Sequence, residues 1–102
     1  MSLLEELKNY LDITWEDEAI NNKLSGIIKR AESLLSEYAG EPVNFDDSQG
    51  FEKQLLFDCC RYIYNNSLED FKINFSAELI SIRARHAVKE TEVKENAEIS
   101  EI

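Results

Sequence analysis

Three groups of side chains have types that could do chemistry: the adjacent Cys59 and Cys60, the lone His86 behind Arg83 and Arg85, and the acidic set Asp12, Glu16, Asp17 and Glu18. Each has to be weighed against a plain structural role. Neighbours on a helix point about 100° apart, so a disulfide between Cys59 and Cys60 is sterically poor. Two adjacent cysteines and one distant histidine do not make a tetrahedral zinc site either. Set in the most apolar run of the chain, the pair reads as two small buried hydrophobes. His86 has no Ser, Cys or acidic partner in a recognisable motif, so it reads as a structural or surface residue rather than a general base. The acidic set lacks the calcium-loop pattern with its central glycine, and negative charge in the first turn of a helix accounts for it. The glycines are scattered at 26, 40 and 50, which leaves no phosphate-binding loop. No catalytic, cofactor-binding or metal-ligating residue is expected, and the chain does not read as an enzyme.

One positive island stands out, Arg83-Ala84-Arg85-His86. On an acidic protein it has two readings. It could meet the acidic face of an identical neighbour in a head-to-tail arrangement, or it could be a solvated helix end whose charge suits the dipole.

The elements that must position these groups follow from periodicity. The run Phe51–Asn66, FEKQLLFDCCRYIYNN, organises the rest. Wound as a helix, it puts Gln54, Asp58, Arg61 and Asn65 on one narrow strip. Leu55, Leu56, Phe57, Cys59, Cys60, Ile63 and Tyr64 fill most of the remaining circumference, roughly twice the arc of an ordinary surface helix. This is the expected central helix. Asp58 and Arg61 are spaced to pair with each other.

Ahead of it, Leu3, Leu4, Leu7, Tyr10 and Leu11 recur at helical spacing behind Ser2, predicting a short helix over 2–11. After a brief connector at Asp12 and Ile13, Thr14 is the expected cap of a long second helix with Asp17 three residues on. Ile20, Leu24, Ile27, Ile28, Ala31, Leu34, Leu35 and Tyr38 form its stripe, roughly 120° wide. Gly40 and Pro42 are its stop signals. Gly26 inside this helix implies either close approach of a neighbouring backbone or simple tolerance. Glu41–Gly50 reads as a loop, with Val43 and Phe45 able to tuck onto the core and Asp47 or Ser48 as the next cap.

Beyond the breaker Asn65-Asn66-Ser67 the pattern turns helical again, with a break possible at Asn74–Ser76. Phe71, Phe75, Leu79, Ile82 and His86 lie on one side, while Ile73, Ala77, Ile80, Ala84 and Val88 lie roughly opposite. One seam can face the core. The other needs cover from the N-terminal helix or from another chain, because contiguous apolar surface is uncommon on monomers. From Lys89 the composition shifts to five Glu against two Lys with isolated Val93, Ile99 and Ile102. The division expected is a helical domain over 1–88 and an acidic tail over 89–102, disordered or ordered only by a partner.

The bulk numbers agree with an all-α fold of about four helices around the central one. At 102 residues this is one small domain, and its net charge of −10 argues against a basic nucleic-acid-binding face. There is no signal-peptide pattern and no apolar run near 18 residues, so an intracellular protein without a membrane segment is expected.

The order of elements resembles a known family. The opening LLEELKNYLDITWEDEAINNKLSGIIKRAESLLSEYAG is similar to the N-terminal half of the head–tail connector proteins, the small head-completion or adaptor proteins of tailed phages and prophages. The matching features are a short leading helix, an acidic connector and a long helix ending in Tyr38-Ala39-Gly40. The second half, QLLFDCCRYIYNNSLEDFKINFSAELISIRARHAV, resembles the branch from phages of Gram-positive hosts. Together these cover residues 3–88, through apolar and aromatic patterns rather than catalytic signatures.

The resemblance implies a non-enzymatic virion protein at the head–tail junction, present in the host cytoplasm during assembly. Its expected partners are the portal protein, a tail-side connector component and further copies of itself in a ring. DNA would pass through that ring without specific binding, and no cofactor is implied. The candidate subunit-interface residues are Ile73, Ile80, Arg83, Ala84 and Arg85. The rival reading from charge alone is an acidic helical regulator that binds a basic partner by mimicking DNA.

Overall fold

The computed structural model describes residues 2–45 and 50–87. Five helices lie in that range and no strand does: α1 (Leu3–Tyr10), α2 (Glu18–Ala39), α3 (Phe51–Tyr64), α4 (Leu68–Asn74) and α5 (76–87). The expected all-α architecture is what the chain adopts. The expected boundary at 88 and the acidic segment 89–102 lie outside the described residues.

Helix ends follow local chemistry. The Ser2 hydroxyl accepts the Glu5 N–H at 3.2 Å and starts α1. The start of α2 differs from expectation: Asp17, not Thr14, is the cap, and its carboxylate accepts the Ala19 N–H at 2.8 Å. The delay has a tertiary cause. Ile13 is drawn into the core with its N–H donated to the Lys8 carbonyl at 2.8 Å, so the chain is still in loop geometry at Thr14. A carboxylate beside the helix dipole is also a strong cap. Gly40 closes α2 in the left-handed region at φ 86°, its N–H donated to the Ser36 and Glu37 carbonyls, as a C-terminal glycine should. Gly50 holds the cap position of α3 without a side-chain bond. Asp47 and Ser48 lie outside the described residues.

α3 is the hub. Leu55, Leu56, Phe57, Cys59, Cys60 and Ile63 are all buried on it. α2 packs along it as the largest helix pairing, while Phe45 from the connecting loop is fully enclosed and Val43 is partly so. α1 is tied to α3 by Glu6–Lys53 at 3.0 Å, by the Tyr10 hydroxyl donated to Asp58, and by Tyr10 packing on Phe57. The expected Asp58–Arg61 partnership gives way to this long-range one. Asp58 accepts from Tyr10 and from Gln54 Nε2 at 3.3 Å, and Arg61 lies over the Tyr62 ring instead.

The final helical stretch is two helices rather than one. Phe75 leaves helical geometry at φ −110°, ψ 22°, yet its N–H still reaches the Phe71 carbonyl and its own carbonyl takes the Leu79 N–H. The result is a kink without a loop, and Ser76 opens α5 as a helical residue rather than capping it. The kink lets Phe71 and Phe75 stack at 4.8 Å and both meet Tyr62 of α3.

Candidate interaction surface

The two seams predicted for the last stretch separate cleanly. Phe71, Leu79 and Ile82 are buried and Phe75 and His86 partly so, whereas Ile73, Ala77, Ile80 and Ala84 are all exposed. Ile73 is 72% and Ile80 70% exposed, extreme values for isoleucine in a folded domain. α1 does not cover this seam; it packs on α2 and α3. Ala77, Ile80 and Ala84 of α5 are three and four residues apart, the spacing of a helix that offers a narrow apolar edge to a partner, and Ile73 precedes them on α4 across the Phe75 kink.

Beside the seam runs a groove of about 650 Å³ between α2 and the α4–α5 arm. Leu34 and Tyr38 form one wall and Leu79 and Ile80 the other, with Lys72 and Arg83 as cations and Glu37 as the anion on its rim. Apolar walls with a few convergent polar groups are the usual make-up of a recognition cleft.

The candidates Arg83, Ala84 and Arg85 are exposed at the far end of α5, but they are not an isolated positive island. Arg83 passes over Gly40, where a Cβ would sit 3.8 Å from its Nε. α2 has no basic residue in its own last turn, so Arg83 brings positive charge to that negative dipole end. The Arg85 guanidinium lies 4.1 Å above the Phe51 ring. His86 is held between two carboxylates, Nδ1 at 2.5 Å from Glu41 and Nε2 at 3.7 Å from Glu52. The end of α5 is thus fastened to the α2–α3 junction, and Arg83 serves the dipole of α2 rather than that of its own helix, while Arg83 and Arg85 stay exposed.

Cys59 and Cys60 are free thiols with no exposed surface, and burial pushes both pKa values up, Cys59 to about 12. They present no nucleophile at neutral pH. Among the described residues no group of three or more His, Cys, Asp or Glu is placed to hold a metal ion, and no helix is long and apolar enough to cross a membrane.

One exposed residue escaped the sequence reading. Trp15, 53% exposed, projects from the α1–α2 connector. That connector is firmly held. Ile13 is buried beneath it, and Lys8, itself largely buried, reaches out to Glu16 at 3.0 Å. Glu16 also accepts from Asn21, and these two hydrogen bonds, Lys8 first, keep its carboxyl below the usual range. The signal was present in the sequence: a tryptophan outside both flanking apolar stripes, surrounded by acids.

Comparison with protein-family models, with curated proteins and with solved structures finds no match for this chain.

Proposed function

We propose that this chain is a structural adaptor of the head–tail connector type. In this reading it joins further copies in a ring on the portal of a tailed phage or prophage, extends the DNA channel and offers a surface to the next tail-side component. The observation that carries the reading is the set of exposed apolar residues Ala77, Ile80 and Ala84 on α5 with Ile73 at the end of α4. Among the described residues two isoleucines stand largely in water, and apolar surface of that kind is commonly covered by another chain. Ile73, Ile80, Ala84, Arg83 and Arg85 are its proposed interface residues.

Charge supports the same reading. A net charge of −10 repels the DNA phosphates, so a channel wall made of such subunits lets DNA slide without adhering. The function asks for no catalytic step. It places the protein in the host cytoplasm during assembly and at the head–tail junction afterwards.

Co-purification with the assembled portal tests the proposal. Residues 2–87 should be retained on portal rings, and failure to bind under conditions where the portal is intact overturns it. A DNA-mimicking regulator would instead bind a basic partner in a salt-sensitive way and ignore the portal.

A further inference from the structure

A ring built from identical subunits uses heterologous contacts, in which one surface meets a different one on the next copy. The α5 seam and its groove supply only one of the two surfaces. Their chemistry defines the other. The groove is walled by Leu34, Tyr38, Leu79 and Ile80 and carries Lys72 and Arg83 against a single Glu37. Its complement must therefore project an apolar group from acidic surroundings.

The described residues hold three exposed large hydrophobics: Ile80 on the groove wall, Ile73 on α4, and Trp15. Trp15 sits among Asp12, Glu16, Asp17 and Glu18. We infer that Trp15 and its acidic connector seat in the α2–α5 groove of a second copy, with the indole against Ile80 and Tyr38 and the acids facing Lys72 and Arg83. The inference rests on the ring-forming reading above and names its missing surface.

Three observations carry it. The first is charge: an acidic connector meets a groove whose rim carries Arg83 and Lys72, the latter 4.0 Å from Glu69 of its own chain, with the Arg83 guanidinium able to lie over the indole face. The second is preorganisation. Lys8–Glu16, the Asp17 cap and buried Ile13 already hold the connector in place, so little ordering entropy is lost on docking. The third is distance. Trp15 lies before the first turn of α2, while Leu34 and Tyr38 lie in its last two turns, which at 1.5 Å per residue puts them about 25 Å or more apart. A rigid helix keeps Trp15 out of its own groove, so the contact can form only between molecules, and in the ring-forming reading it runs head to tail.

One loop in one groove buries less than a standard interface. An isolated contact should therefore dissociate on the order of 100 μM and gain strength by ring closure. Because Trp15 is the sole tryptophan, its emission reports the contact directly.

The test uses the full chain and the variants Trp15→Ala and Ile80→Glu, with Arg83→Glu as a second groove variant. Each is checked for native helicity by circular dichroism. The unmodified protein should self-associate in sedimentation as its concentration approaches ~1 mM, with a blue shift of tryptophan emission. Trp15→Ala and Ile80→Glu should each weaken association by at least about 30-fold.

Mixing is decisive. Trp15→Ala keeps the groove and Ile80→Glu keeps the tryptophan. Titrating the tryptophan-free variant into Ile80→Glu should restore a saturable blue shift and a one-to-one complex, and Arg83→Glu added to the tryptophan-free partner should weaken it.

Monomeric behaviour of the unmodified protein at ~1 mM, undiminished association of Trp15→Ala, or no complex on mixing would each overturn the contact. Portal binding is scored separately. Its loss with mixing intact removes the adaptor reading alone, and its retention with mixing absent removes this contact alone.

Discussion

Burial decides what each titratable side chain can do here. Tyr10 donates its hydroxyl to Asp58, and its pKa is pushed up to about 12, by burial first and by that hydrogen bond second. Cys59 rises from about 9 to about 12 with burial as the leading cause. In both the neutral form is favoured by folding. Their contribution to stability is complete below the unfolded pKa, near 9 for the thiol and 10 for the phenol, and is lost as pH rises towards 12. Urea midpoints should therefore be flat from about pH 7 to about pH 8.5 and fall steadily above it. Cys59→Ala should start lower, because it leaves a small cavity, but decline with a shallower alkaline slope. An unchanged slope would show that the thiol is not the group responsible.

Gly26 is settled at the same scale. A Cβ built there meets nothing within 4 Å, so tolerance, not close approach, is the reason a glycine survives inside α2. Gly26→Ala should raise stability by about 0.5–1 kcal/mol, read as a higher denaturation midpoint with unchanged cooperativity. The opposite sign would point to a partner packed on that face. The left-handed Asn66, at φ 56° in the α3–α4 turn, is the contrasting case. There the backbone conformation itself selects a residue that tolerates it.

Among the elements, α3 and α5 divide the labour. α3 touches every other helix and spends nearly its whole circumference on the core, so its aromatic and thiol side chains act as scaffold. α5 is buried on one face only. Its two faces should respond oppositely to truncation. Ile82→Ala removes a fully enclosed side chain and should cost about 2–5 kcal/mol. Ile80→Ala, two positions away on the exposed seam, should change monomer stability by no more than about 0.5 kcal/mol while reducing association with a partner. Chemical denaturation of dilute protein checks the first difference and sedimentation at high concentration the second. A large stability loss from Ile80→Ala would mean that the seam is covered within the monomer.

The kink at Phe75 is what brings the buried face of α5 down onto α3. It also directs the far end of α5 to the α2–α3 junction, where His86 enters between Glu41 and Glu52 and Arg85 lies over Phe51. Held there, α5 presents Ala77, Ile80 and Ala84 on its outer face, with Ile73 on α4 across the kink.

At the scale of the whole molecule, α2 acts as a spacer. Its 22 residues span about 33 Å, with the acidic Trp15 connector at one end and the cationic groove with the Arg83–His86 patch at the other. In the proposed adaptor reading these two ends would be the surfaces that meet between neighbouring copies, a head-to-tail geometry.

The identity and approximate extent of α1, α2 and α3 were legible in the sequence, because apolar residues at helical spacing, a Ser2 cap and a Gly40 stop are local signals that burial merely completes. The two seams of the last stretch were legible for the same reason: periodicity places Ile73 and Ile80 opposite Leu79 and Ile82 whatever packs against them. Other features were decided only by tertiary structure. Which seam would be covered, the pairing of Asp58 with Tyr10 rather than Arg61, the enclosure of His86 by Glu41 and Glu52, and the delayed start of α2 all depend on residues far apart in the chain. Trp15 belongs to this second group. Its type and neighbours can be read from the sequence, but its exposure follows from how Ile13 and Lys8 anchor the connector. Periodicity records which residues share a face, and only packing decides which face meets water.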